Sequence, residues 1–275
     1  MRNASASLLL SPAVCVLLLA FILPIMLLLR LSLFDPEFSF AYFERAFTVP
    51  VYLKSLGFTL TIAVTSTTLT LLLAYPLAYT LVVSKPFARA VLLAIVMLPF
   101  WTNVLTRVYA LTLLLQNQGV VNTILRDWMH VTDKPWELVF NDIGMMYGLL
   151  HHQVPIAVLT LYTAMRMIDR RLLMAAESLG AHPVRAFWAV YFPMSVPALK
   201  STGLLIFVIS IGAYVIPALL GGPQSPMLAM IIADFYEESL QWGMGSALAV
   251  ILLVVTVICA VIYRWLSGAS SRSRA

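Results

Sequence analysis

Acid–base, nucleophilic and metal chemistry each need particular residue types at particular intervals, and this chain of 275 residues offers few of them. Its four histidines, His130, His151, His152 and His182, do not stand at an H-x-x-x-H interval, and no cysteine or carboxylate pair completes a metal site with them. No G-x-x-x-x-G-K-[S/T] loop is present, so the chain is not expected to bind and hydrolyse a nucleotide by itself. No serine sits in a G-x-S-x-G turn, and no paired carboxylates lie within the long apolar runs. A membrane hydrolase or a proton pump would lack its residues. What remains is a polar minority inside apolar sequence. Asn103 and Arg107, four residues apart, share one face of a helix. A charge there snorkels, joins an ion pair, or lines the path of a solute. His151, His152 and Gln153, just ahead of Pro155, either hydrogen-bond between helices or line a pathway.

The elements that must position these groups are membrane helices. The chain is 61% apolar and 11% charged, with a mean hydropathy of +0.94, which no soluble domain matches. Spanning runs of roughly 20 residues are placed near 9–31, 58–83, 88–114, 143–165, 201–221 and 246–266. The first reads as an uncleaved anchor, because its apolar part extends to Leu29 without a small-residue cleavage pattern. Cys15 and Cys259 each lie in an apolar run and make no disulfide framework. With the N-terminus inside, eleven bases (Arg2, Lys85, Arg89, Arg166, Arg170, Arg171, Arg185, Lys200, Arg264, Arg272 and Arg274) fall on the cytoplasmic side, against two acids, Asp169 and Glu177. The other side holds six bases and ten acids. Both termini are therefore expected in the cytoplasm, and the net charge of +5 is a topology signal rather than a nucleic-acid footprint.

No linker or repeat divides the chain, so one membrane domain over 1–275 is expected. The segments after the first, third and fifth spans are too long for simple turns, and each is expected to hold short helices. One is an amphipathic element within Pro226–Trp242 lying near the external surface. Pro99, Pro155, Pro197, Pro217, Gly203 and Gly212 punctuate the later spans. The basic stretch from Arg166 to Lys200 looks like a docking element. Asp169 can cap a helix whose apolar side is Leu172, Leu173, Ala175, Ala176 and Leu179, and Gly180 can end it.

The stretch Met174-Ala175-Ala176-Glu177-Ser178-Leu179-Gly180-Ala181, followed by Phe187, Val190 and Pro193, resembles the E-A-A-x-x-x-G loop of ABC importer permeases. Among these the chain most resembles the spermidine/putrescine permease family. The supporting stretches are Pro99 to Tyr109, Gly119 with Asn122, Ile168-Asp169, Val215 to Pro223, Trp242 with Gly245-Ser246, and Leu10-Ser11-Pro12 with Arg30 to Phe34. The family's leading glutamate is Met174 here, which points to a more apolar docking surface. His151 stands where tyrosine is typical.

The resemblance implies an all-α integral membrane protein with six transmembrane helices, the type I ABC importer permease fold and a cytoplasmic coupling helix. It implies the bacterial inner membrane, a second permease subunit, usually a paralogue, a cytoplasmic ABC ATPase dimer, and a periplasmic solute-binding protein. The chain itself would not be an enzyme and would hold no cofactor, ATP and magnesium residing on the ATPase. Coupling to the ATPase falls on Asp169, Leu173, Met174, Ala175, Ala176, Glu177, Leu179, Gly180, Ala181, Phe187 and Pro193. The candidate translocation path is Trp101, Asn103, Arg107, Tyr109, His151, Tyr214 and Trp242, the aromatic members being suited to a cationic polyamine through cation–π contacts. The alternatives are import of an opine, an amino-acid derivative or an organophosphonate by the same class, or a membrane scaffold without transport.

Overall fold

The computed structural model describes residues 2–34, 37–130, 134–169, 171–224 and 226–272, with side chains from 14 to 265. Arg170 and Arg274, two of the bases counted for topology, lie outside the described residues. The described chain is helical, in the order α1 (Arg2–Leu33), α2 (Ala41–Thr48), α3 (Pro50–Val83), α4 (Pro86–Met97), α5 (Val104–Leu115), α6 (Val120–Thr123), α7 (Asp142–Met165), α8 (Arg171–Ser178), α9 (Pro183–Ala186), α10 (Phe192–Ile211), α11 (Val215–Leu220), α12 (Leu228–Glu237) and α13 (Trp242–Arg272). Four of the described helical stretches are long and apolar enough to cross a membrane, and the bent pair formed by Pro86–Trp101 and Val104–Trp128 makes a fifth. With 24 residues, α7 is about 36 Å long at 1.5 Å per residue, enough to span, although His151, His152 and Gln153 dilute its apolar character.

Two expected boundaries differ. The third span is not one helix over 88–114. A 3₁₀ turn at Leu98–Trp101 ends α4, and the chain bends by 99° before α5. Proline at 99 and the cap at Asn103 impose this break, which an average of hydropathy does not register. The fifth span begins earlier and ends earlier than 201–221. A continuous helical path runs from Pro183 through a π turn at Phe187–Tyr191 into α10, which stops at Ile211, and 215–220 form the separate α11. The stretch after 183, read as loop, is thus the foot of a span.

The described chain packs as two compact units. In the larger (57–227 and 259–275), α3, α7 and α10 meet through Ala74, Ala78, Leu81, Ala157, Val158, Leu161, Met165 and Ile206. Alanines at such contacts let helix backbones approach closely where no hydrophobic force drives association. Gly144 and Gly148 make a similar seat on α7 for α11: a Cβ on Gly148 would stand 2.5 Å from Leu220 Cδ1 and 2.7 Å from Ile216 Cγ2. Four hydroxyls of α3 are absorbed locally. Thr61, Thr65, Thr68 and Thr80 donate to carbonyls four residues back, which satisfies them in an apolar layer. Arg89 of α4 closes the far end of α3, its Nε donating to the Leu81 carbonyl at 3.0 Å and its Nη2 to that of Ser84 at 2.8 Å.

The smaller unit (1–56 and 228–258) has its own core of Ala46, Leu228, Phe235, Met244 and Leu248. The amphipathic element expected within Pro226–Trp242 is α12, whose Leu228 and Phe235 are buried in that core. Gly245 lets α13 meet it closely, and Tyr236 Oη shares a 2.6 Å hydrogen bond with Ser246 Oγ.

Candidate functional site

Two constellations stand out in the larger unit. The first is the loop helix α8. The Asp169 carboxylate accepts from the Arg171 amide at 2.9 Å, capping α8 as the sequence predicts. At the other end Gly180 has φ +87°. The Ala181 amide donates to the Ala176 carbonyl and the Gly180 amide to that of Glu177, a Schellman stop in which a left-handed residue is required. Leu173 turns inward with Ile168 and Phe187 onto the core. Apolar side chains are exposed around the rest of the helix: Leu172, Met174 and, just past its last turn, Leu179 at 89% exposure. Ala175 and Glu177 are exposed beside them, and Ala176 and Ala181 are half-buried. Phe187 is held edge-on by Tyr75 and Tyr79 and stacked on Tyr191, while Pro193 is the second residue of α10, directly after the π turn. The loop helix is therefore fixed at its base and bare on its outer side.

The second constellation surrounds the bend between α4 and α5. Asn103 precedes α5 rather than sharing its helical face with Arg107; its Oδ1 accepts from the Leu105 amide at 2.8 Å and caps α5. Arg107, only 9% exposed, folds back over the bend. Its Nε donates to Thr102 Oγ1 at 3.2 Å and its Nη2 to the Thr102 carbonyl at 2.8 Å, while Nη1 meets His152 Nδ1 at 3.2 Å. The guanidinium fork thus ties the bend to α7, a contact with neither the carboxylate nor the interface that sequence reasoning weighed. Trp101 and Tyr109, on the same segment, are strongly exposed.

The polar triplet of α7 divides three ways. His152 receives Arg107. Gln153 is fully buried and joins three helices: Thr70 of α3 donates to its Oε1 at 3.0 Å, and its Nε2 donates to Ser210 of α10 at 2.9 Å. Ser66 completes the network by donating to Ser210 at 3.0 Å. His151 instead lines a groove of about 330 Å³ together with Tyr147, whose ring stacks on it at 6.4 Å. Tyr214 precedes α11 and is partly exposed; Trp242 opens α13 in the other unit and is half exposed.

For Gln153 the structure thus favours the interhelical hydrogen bonding weighed from the sequence, while its partners Ser66, Thr70 and Ser210 were not singled out there, although Ser66 and Thr70, one turn apart in an apolar run, were a signal for them. Asn122 is another buried organiser. Its amide brackets Trp136, accepting from the backbone N–H at 2.8 Å and donating to the carbonyl at 3.0 Å, and so binds the 134–140 segment to the end of α5.

Apolar spans, a bent helix pair and a capped loop helix with exposed apolar side chains define an integral membrane protein by class. The chain belongs to the binding-protein-dependent transport system inner membrane component family, which matches residues 71–271. It is 32% identical over 214 residues to the spermidine/putrescine transport system permease protein PotB of Haemophilus influenzae, covering 78% of this chain and 74% of that protein. To PotB of Escherichia coli it is 29% identical, covering 78% of each. A probable sulfate transport system permease protein, cysT of Nephroselmis olivacea, is 25% identical over 258 residues, covering 93% of this chain and 88% of its own. Two crystal structures share the fold at 18% and 19% identity: a bacterial ABC transporter that imports the acidic polysaccharide alginate (TM-score 0.74, covering 98% of both chains), and the alginate transporter in complex with its alginate pentasaccharide-bound periplasmic protein (TM-score 0.76, covering 97% and 96%). The chain is a permease subunit of an ABC importer.

Proposed function

We propose that this permease serves an ATP-driven, binding-protein-dependent importer of polyamines of the spermidine/putrescine kind, in a bacterial inner membrane with both termini cytoplasmic. The reading takes six spans, with α7 and the bent pair each as one. The observation that carries the mechanism is α8: a helix capped by Asp169, stopped by Gly180, braced by Phe187 and presenting Leu172, Met174 and Leu179 outward. Such a face fits a groove on a cytoplasmic ATPase dimer. ATP and magnesium stay on that partner. Closure of the ATPase would move α8 and, through the helical path at 183–211, rock the spans between inward- and outward-open states. A second permease, a paralogue, encloses the path, and a periplasmic protein delivers solute.

Similarity to the PotB permeases supports the amine substrate, and the exposed rings of Trp101, Tyr109, Tyr214 and Trp242 can receive cationic groups. One residue favours a second reading within the class: His151, which replaces the family's usual tyrosine, would suit an opine, an amino-acid derivative or an organophosphonate. A thermal-shift screen of the binding protein separates the two. Stabilisation by spermidine or putrescine is expected; stabilisation by another solute with none by amines removes the polyamine assignment.

A further inference from the structure

His151 makes no hydrogen bond to any described residue, yet it stands at the tenth position of the 24 in α7, near mid-span. Pro155, which lines the same groove, has no N–H, so the carbonyl of His151 four residues earlier loses its helical donor. An imidazole and a backbone acceptor without partners are costly to expose to hydrocarbon, and polar groups at such depth face a water-accessible cavity or a protein interior. The opposite wall is apolar, with Leu73 of α3 and Ile95 of α4 both more than half exposed. No carboxylate and no arginine lines the groove, Arg107 being occupied by His152 and the bend.

We propose that the groove between α3, α4 and α7 is a subsite of the solute path that holds an alkyl amine. Its methylenes lie along Leu73, Ile95, Leu150 and Val154, while the ammonium donates to the His151 carbonyl and to the neutral imidazole beside the ring of Tyr147. At about 330 Å³ the groove is at the small end of ligand sites, which run from about 300 Å³. Neutral acceptors rather than a carboxylate make a shallow well, and a transported solute must leave as readily as it arrives. This subsite rests on the amine-importer reading, and its test keeps the two apart.

In the assembled importer, with Cys15 and Cys259 replaced by serine, Ile95→Cys on the apolar wall is treated with a membrane-impermeant cationic thiosulfonate, His151 being left intact, and Glu137→Cys in an exposed segment serves as the reference. Modification of both is expected, slowed about tenfold at position 95 by spermidine at roughly ten times its half-saturating concentration. No reaction at 95 while 137 reacts shows a lipid-facing groove and overturns the subsite; reaction without protection by amines overturns the occupant. Uptake gives an independent reading. His151→Leu and the groove-filling Ile95→Trp should each raise the half-saturating amine concentration about tenfold and leave the amount of assembled complex unchanged. Wild-type uptake with unaltered variants overturns the subsite alone, whereas a wild-type importer that moves no amine overturns the function reading as well.

Discussion

Arg107 shows how a single buried charge is kept within a membrane helix without a carboxylate. Breaking α4 from α5 leaves the Thr102 carbonyl outside any helical ladder, and the guanidinium supplies that donor, a second to Thr102 Oγ1, and a third to His152. Lysine carries the same charge on a single point and cannot span the three acceptors. Arg107→Met strands the Thr102 carbonyl and His152 Nδ1, at about 1–3 kcal/mol for an unsatisfied buried group. The thermal midpoint of the solubilised complex should fall for Arg107→Met and fall less for Arg107→Lys; equal midpoints would show that the fork is idle. Gln153→Leu tests the neighbouring network. Interhelical hydrogen bonds in membranes average about 0.6 kcal/mol, so losing both of its contacts predicts a stability loss of about 1 kcal/mol, read as a lower unfolding midpoint, with insertion unaffected. The sequence showed that the polar triplet faces inward but not how it divides, since helical spacing gives an angle and not a partner.

At the scale of elements, α8 was the most legible part of the chain. Its cap and terminal glycine are local signals, and both appear in the structure at the expected residue, whereas the expected apolar side divides, Leu173 and Ala176 turning inward and Leu172, Ala175 and Leu179 staying exposed. The bend at 99–103 and the helical foot at 183–191 were less legible, because one is hidden in an apolar average and the other contains the polar and aromatic residues that usually mark a loop end. Gly180 allows a clean test of what α8 is for. A Cβ added there meets nothing within 4 Å in this chain, so the only internal cost is the left-handed backbone, about 1–2 kcal/mol for ordinary residues and less for Asp. Gly180→Asp should therefore insert and accumulate normally while abolishing ATP-coupled uptake, through clash or repulsion at a partner surface. Normal uptake would remove the docking role.

At the scale of the molecule, long apolar runs made the class legible from composition, whereas the helix count is blurred at α7, where His151 and the two polar residues that serve internal ties, His152 and Gln153, lower its apolar average. The same division between apolar and charged contact governs assembly. Where the resembled family carries an acid, the exposed outer side of α8 offers Met174, 56% exposed, with Leu172 and Leu179 also exposed on the same loop helix and its end. An attachment dominated by charge weakens as salt shortens the screening distance from about 8 Å at physiological ionic strength to about 3 Å at 1 M. Burial of apolar area is not screened and is strengthened by excluded salts such as sulfate. The ATPase should thus remain on the solubilised permease in 1 M sodium chloride, roughly the condition at which the Debye length falls to 3 Å, and Met174→Asp should release it at low salt. Co-purification across a salt series reads both outcomes. Loss of the ATPase from the unaltered complex at high salt, or its retention by Met174→Asp, would show that the loop is held by its charges, with Glu177 and Arg171 the exposed candidates on the same helix.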